Sequence, residues 1–346
     1  MVAQEKWKVA IVGSGNWGSA IAHLVGKNVK ERSDRFETEV HMWCFEEEFE
    51  GRKLTEIINE KHENVKYLPG ITLGDNIIAE PDLPKAIEGA NALIFVLPHQ
   101  FIGKACDQLE GKVKPGTKGI SLIKGVDVKE GEIHIFSEVI SARLGIECAA
   151  LSGANIADEV AREEFSETTI GCRDLDVAKK WASLFETEKF RVAVNRDVLG
   201  VSLGGALKNI VAVAAGFVDG LQWGNNAKAA VIRIGLLEMK RFALEFFPGT
   251  EPETFVQESA GVADLITSCL GGRNRRCAEA FVKTGKPFDQ LEKEMLNGQK
   301  LQGVETAKEL HIFLKARGKV EEYPLFTFVY RAAYEGVRVD ELTAHI

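Results

Sequence analysis

Hydrophobic residues in the first half of the chain come in short unbroken runs, each ended by glycine, proline or a polar pair. Val9-Ala10-Ile11-Val12 is the first such run, and it has no polar alternation, as expected of a strand covered on both faces in a parallel sheet. Further strands are predicted at Thr38 to Phe45, Asn76 to Ala79, Ala92 to Leu97, Gly119 to Ile123, Cys148 to Leu151, Glu167 to Cys172 and Phe190 to Val194, with helical spacing between several of them, as over Leu175 to Glu186. From about Leu199 the pattern changes to helices alone: Leu199 to Leu221, Asn226 to Phe247, Thr254 to Cys269, Val304 to Lys315 and Pro324 to Glu335. The expected fold class is α/β, an N-terminal Rossmann-type dinucleotide-binding domain over 1–198 followed by an all-α domain over 199–346.

The first strand runs into Gly13-Ser14-Gly15-Asn16-Trp17-Gly18, glycines at GxGxxG spacing ahead of the apolar positions Ala20, Ile21 and Leu24. Strand, glycine turn and helix in this order allow a pyrophosphate to approach the backbone at a helix N-terminus. A glycine turn chosen only for packing is the plainer alternative. The second strand leads to Phe45, placed to pack on an adenine, and then to Glu46-Glu47-Glu48, later than the usual ribose-binding acid. No arginine stands there to meet an extra phosphate, so the run favours NAD over NADP. As plain structure the three glutamates read as a solvated helix start.

Composition narrows the class. The chain has 346 residues, 45% of them hydrophobic, with 43 basic against 51 acidic and a net charge of -8. That is enough for a large core and two domains, and it argues against nucleic acid or an anionic membrane as partner. No signal core precedes the first strand, so a cytoplasmic location is expected. The apolar stretch from Leu199 to Leu221 is interrupted by Lys208, Asn209 and Asp219 and reads as a buried core helix. The six cysteines form no CxxC pair and read as reduced core thiols, with neither disulfides nor metal expected.

Candidate chemistry sits where polar residues interrupt apolar surroundings. Lys208 lies in the most apolar helix, where burial either lowers its pKa or demands a carboxylate partner; it is a candidate acid/base, and Asp264 is the carboxylate expected to pair with it. Lys124, at the carboxyl end of a buried strand, is either a snorkelling surface residue or a cation aimed at a ligand, and His99 follows another strand in the same way. Gly271-Gly272-Arg273-Asn274-Arg275-Arg276 is the dense basic cluster of an acidic chain and suggests a phosphate loop, with Asn274 capping the next helix and Arg273 gripping a dianion. Gly298 to Gly303 is a glycine-bounded polar loop suited to act as a lid.

Seven separated segments, taken together, resemble the cytosolic NAD-dependent glycerol-3-phosphate dehydrogenases. They are 13 to 22, Val-Leu-Pro-His-Gln-Phe-Ile-Gly-Lys at 96 to 104, Ile-Ser-Leu-Ile-Lys-Gly-Val at 120 to 126, Ser-Gly-Ala-Asn-Ile-Ala at 152 to 157, Ala-Leu-Lys-Asn at 206 to 209, Gly-Gly-Arg-Asn-Arg at 271 to 275 and Gly-Gln-Lys-Leu-Gln-Gly at 298 to 303. The resemblance implies a homodimer acting on a phosphorylated small molecule with NAD. It implies Lys208 as proton acceptor in oxidation, Lys124 as a substrate lysine, Asn209 and Asp264 around the reacting carbons, and Arg273 and Asn274 on the phosphate. Implied cofactor contacts are Gly13, Ser14, Gly15, Asn16, Trp17, Gly18, Phe45, Phe101, Ala157, Arg273, Lys300 and Gln302. Ser268 stands where the family pattern has threonine, which keeps the hydroxyl and loses a methyl. Two other readings accompany this one: a same-fold dehydrogenase for another substrate, and a catalytically silent NADH-binding redox sensor, which the presence of Lys208 argues against.

Overall fold

The computed structural model describes residues 5–129, 131–296 and 298–346. Eight strands form one sheet: β1 (Val9–Val12), β2 (Val40–Trp43), β3 (Ile77–Glu80), β4 (Ala92–Phe95), β5 (Lys118–Ser121), β6 (Glu147–Ser152), β7 (Ser166–Gly171) and β8 (Phe190–Asn195), in the order β8-β7-β6-β5-β4-β1-β2-β3. The pairs β1–β2, β1–β4, β2–β3, β4–β5, β5–β6 and β7–β8 are parallel. Alternation along β1 sends Val9 and Ile11 into one hydrophobic cluster and Ala10 and Val12 into another, so both faces of the strand are covered. That is why its sequence carries no polar alternation.

The chain forms two compact units. The first comprises 1–123, 136–151 and 155–198, the second 124–135, 152–154 and 199–346. Two stretches expected to belong with the sheet, around Lys124 and Ser152–Ala154, therefore group with the helices. One of them contains an antiparallel hairpin, Val126–Lys129 with Glu132–Ile135, that the helices-only reading does not include. Among the described residues the second unit is otherwise helical, around the helix Val198–Gly220. This helix is long and apolar enough to cross a membrane, yet most of it is buried in the protein as a core helix.

Two expected elements differ. The predicted helix from Thr254 to Cys269 is broken into Pro252–Gln257, a π-helical turn over Ser259–Ala263, and Asp264–Gly271. The break falls at Glu258, whose backbone is extended, and the π-helical turn that follows brings Ala260 against Gly204 of the long helix backbone to backbone and runs directly into Asp264. No helix starts at Glu46–Glu48 either. Glu48–Phe49 pairs with Arg52–Lys53 in a small hairpin, Glu47 pairs with Lys66, and Glu46 accepts from the backbone N–H (3.3 Å) and hydroxyl (2.6 Å) of Thr55, holding the start of the helix Leu54–Lys61.

Candidate active site

In the first unit the cofactor candidates gather at the carboxyl ends of β4, β1 and β2. β1 is followed by Gly13 at φ +126°, where a Cβ would come 2.7 Å from the Val96 carbonyl oxygen, so only glycine fits. The helix Asn16–Glu31 begins three residues on, with Gly15 as its cap and no acidic residue in its first turn. No acid of the helix's own first turn offsets its positive N-terminal end, which suits a dianionic linker. Asn64, which no local sequence signal distinguishes, is buried and donates to the Ser14 carbonyl and the Ser19 hydroxyl, both at 2.8 Å, fixing the turn. Asn16 donates to Tyr67 O and Asp158 Oδ1, each at 2.8 Å, while Trp17 and Ala157 share a small apolar cluster with Ala20. Phe45, 72% exposed, and Phe101, also exposed, follow the two strands that flank β1. Open aromatic rings on either side of a glycine turn at the sheet's carboxyl edge suit a dinucleotide. The residues present fit NAD. His99 stacks on Phe136 with ring centroids 5.8 Å apart.

In the second unit the helix Val198–Gly220 carries Lys208 and Asn209 into buried surroundings. Lys208 is 5% exposed and Asp264 2%. Asp264 Oδ1 accepts from Lys208 Nζ, and the same carboxylate accepts from Lys124 Nζ at 3.0 Å (Oδ2) and 3.3 Å (Oδ1) and from Ser152 Oγ at 3.4 Å. Lys124 also donates to the Gly153 carbonyl at 3.2 Å. Gly205 makes this crowding possible, since a Cβ there would lie 2.7 Å from Ser152 Oγ and 3.4 Å from Lys124 Cγ. Of the two readings left open for Lys124, the geometry is that of an inward-facing cation. One carboxylate between two ammonium groups leaves the cluster net positive. Burial lowers the Lys208 pKa, Asp264 opposes that, and Lys124 reinforces it; the outcome lies well below a lysine's usual range.

A second polar set adjoins Asn209. Asn274 Nδ2 donates to Asn209 Oδ1 at 3.0 Å and Asn274 Oδ1 accepts from Gly303 N–H at 2.8 Å, while Asn209 Nδ2 lies 3.5 Å from Gln302 Oε1. Asn274 is thus not the helix cap expected of it. The helix Arg273–Thr284 starts one residue earlier, capped by Gly272, whose N–H reaches the Ser268 carbonyl at 3.2 Å, and this frees the Asn274 amide to bridge. Arg273 is exposed and donates to Gln299 Oε1 at 2.7 Å, and Lys300 donates to Glu292 Oε2 at 2.9 Å. Ser268 sits one helical turn beyond Asp264, half-buried. All six cysteines are buried and unpaired, and burial raises each thiol pKa, to about 12 for Cys44 and Cys269. No group of three or more metal-ligating side chains occurs among the described residues.

Comparison with known proteins agrees along nearly the whole chain. Residues 8–178 match the family model for the N-terminus of NAD-dependent glycerol-3-phosphate dehydrogenase, and residues 197–344 match that for its C-terminus. The chain is 59% identical over 334 residues to the cytoplasmic glycerol-3-phosphate dehydrogenase (NAD+) of Mus musculus, covering 96% of this chain and 95% of the relative. It is 53% identical to glycerol-3-phosphate dehydrogenase (NAD+) 1 of Schizosaccharomyces pombe, covering 98% and 90%. The solved structure of a glycerol-3-phosphate dehydrogenase from Saccharomyces cerevisiae superimposes with a TM-score of 0.94 at 47% identity, over 99% of both chains. The chain belongs to the NAD-dependent glycerol-3-phosphate dehydrogenase family.

Proposed function

We propose that Lys208 is the acid/base of a reversible interconversion of glycerol 3-phosphate and dihydroxyacetone phosphate, working within the cluster it forms with Asp264 and Lys124. The reaction class follows from the family: an NAD-dependent oxidoreductase acting on a CH–OH group. When bound, the nicotinamide supplies the hydride for reduction and takes it up in oxidation. The remaining work belongs to the chain. In the reduction direction the Lys208 ammonium faces the carbonyl oxygen, stabilises the negative charge that develops there and gives it a proton. In oxidation neutral Lys208 removes the hydroxyl proton, which a lowered pKa favours. Asp264 orients both ammonium groups, and Lys124 adds a second positive charge beside the reacting oxygen. The observation that carries this reading is the buried carboxylate shared by two lysines, a net positive site that an anionic oxygen balances.

Arg273 and Asn274 are assigned to the phosphate. Arg273 carries a guanidinium fork suited to a dianion, and the Asn274 amide, with one hydrogen given to Asn209, has a second to offer. Ser268, one turn from Asp264, is assigned to the same substrate pocket. Phosphate binding away from the reacting carbon supplies energy that orients the carbonyl. The glycine turn Gly13 to Gly18, Phe45, Phe101, Ala157, Lys300 and Gln302 are assigned to the cofactor. Division of labour between a cofactor domain, 1–198, and a helical substrate domain, 199–346, belongs to the same proposal. So do a homodimer, a cytoplasmic setting, in keeping with the names of the mammalian relatives, and the absence of nucleic-acid or membrane partners, in keeping with the net charge of -8.

Mixing the purified protein with dihydroxyacetone phosphate and either NADH or NADPH tests the activity through loss of reduced-cofactor absorbance. The expected result is rapid loss with NADH, little with NADPH, and none for Lys208→Ala, which still binds NADH. Substantial turnover by Lys208→Ala would remove the lysine from its role.

A further inference from the structure

Glu292 is a buried carboxylate for which the proposed reaction has no use. It lies on the helix Phe288–Leu296, with its side chain only 9% exposed. Its two oxygens divide their work. Oε1 accepts from the buried Leu301 N–H at 2.9 Å, and Oε2 accepts from Lys300 Nζ, also at 2.9 Å. The main-chain oxygen of Glu292 accepts in addition from Gly298 N–H at 2.9 Å, so both ends of the Gly298–Leu301 segment are tied to this residue. The ion pair is asymmetric: Glu292 is walled in, whereas the Lys300 side chain is 64% exposed on a flexible stem. If an anion arrives, the lysine can turn toward it and the carboxylate cannot follow.

We propose that Glu292 is a resident counter-charge for Lys300, which exchanges it for the diphosphate of the cofactor on binding, so that Glu292 is a positioning residue setting NADH affinity and release. The proposal rests on the assignment of Lys300 to the cofactor made above. Glu292 raises the Lys300 pKa, by hydrogen bond and by charge, and the charges of Glu305 and Asp289 act in the same direction. Lys300 is therefore a full cation already neutralised by protein. An incoming dianion must replace that partner and then remain close to the negative charge left behind. Both effects weaken binding and favour departure. The neighbouring Arg273 is likewise engaged, by the neutral acceptor Gln299, which carries no opposing charge.

Glu292→Gln separates the two tasks, because the glutamine oxygen still accepts from Leu301 N–H while the charge facing Lys300 is gone. Titration of NADH by fluorescence should show about two- to fivefold tighter binding, the fold-change expected for an exposed ion pair. The gain should shrink as salt rises and vanish when Glu292→Gln is made in a Lys300→Ala background. A merely structural role predicts the opposite sign, weaker binding with a lowered Tm. Should Glu292→Gln fail to fold, Glu292→Asp withdraws both carboxylate oxygens by about 1.5 Å, which lengthens the ion pair to Lys300, and must also tighten NADH. Unchanged or weaker binding by the folded variant, with Lys300→Ala itself weakening NADH, overturns the counter-charge and leaves the cofactor assignment standing. Unchanged NADH affinity in Lys300→Ala overturns the assignment of Lys300 and the inference with it.

Discussion

Asp264→Asn preserves the shape of the side chain and removes the single negative charge that two ammonium groups share. Asp264 is 2% exposed and Lys208 5%, so water supplies little screening. Lys124 lies 3.0 Å from the carboxylate. At that range and an effective dielectric of about 20, opposite unit charges attract by roughly 5 kcal/mol, much of it offset by their desolvation. Breaking such a buried pair costs about 3–5 kcal/mol where the charge left behind has no outlet. Lys208 has one, because it can lose its proton. With Asp264 neutral, burial and Lys124 both push the Lys208 pKa further down, and the opposing influence is gone. The enzyme then rests with Lys208 unprotonated at neutral pH. Reduction of dihydroxyacetone phosphate loses its proton donor and should slow by about 10²–10⁴, the usual worth of a positioned general acid. Oxidation, for which the proposed mechanism uses neutral lysine, should suffer less. Initial rates in both directions between about pH 6 and 9 test this, and the variant's reduction rate should recover toward the acid end, where Lys208 regains its proton. Equal losses in the two directions with an unshifted pH profile would refute the reasoning.

The proposed phosphate grip and a buried carboxylate give two further tests. Arg273→Ala should raise KM for dihydroxyacetone phosphate by roughly ten- to a hundredfold, the scale of a lost charge-assisted hydrogen bond to a dianion, and unchanged kinetics would remove Arg273 from the clamp. Glu238, buried on the helix Asn225–Phe246, accepts from the N–H groups of Leu325 (2.7 Å) and Phe326 (3.1 Å) at the start of the helix Pro324–Tyr330, and burial raises its pKa from 4.5 to about 7. The folded state therefore binds a proton that the unfolded chain releases, so this group's contribution to stability is present below pH 4.5 and is lost as pH rises toward about 7. Urea midpoints of Glu238→Gln should be flatter across that window than those of the parent, and parallel curves would count against this.

What the sequence disclosed of fold and site depended on whether a signal was local. The doubly covered strand and its glycine turn are local, and the structure has them at Val9–Val12 and Gly13 to Gly18. The pairing of Lys208 with Asp264 was legible because a charge amid apolar helix residues demands a partner. The same rule, applied to carboxylates, singles out two more residues. In the helix Phe288–Leu296 the buried positions Phe288 and Leu291 define a stripe on which Glu292 falls at i+4, and in Asn225–Phe246 Glu238 lies on the stripe of Val231, Gly235 and Phe242. Each is an acid on an apolar face, and each takes N–H groups from the start of another segment. The hairpin at Val126–Ile135 was also readable, since Val126, Val128, Ile133 and Ile135 alternate with polar residues around a glycine. Asn64 was not. Its amide reaches Ser14 and Ser19 across a long chain separation, and nothing beside it marks the position. Nor was the break at Glu258, where extended backbone ends Pro252–Gln257 and the turn that follows seats Ala260 against Gly204 of another helix. The buried acids, unlike these two, call for no tertiary knowledge: a helical carboxylate at i+3 or i+4 from core residues is either desolvated or bound to a donor, and here both hold N–H groups that would otherwise lack a partner.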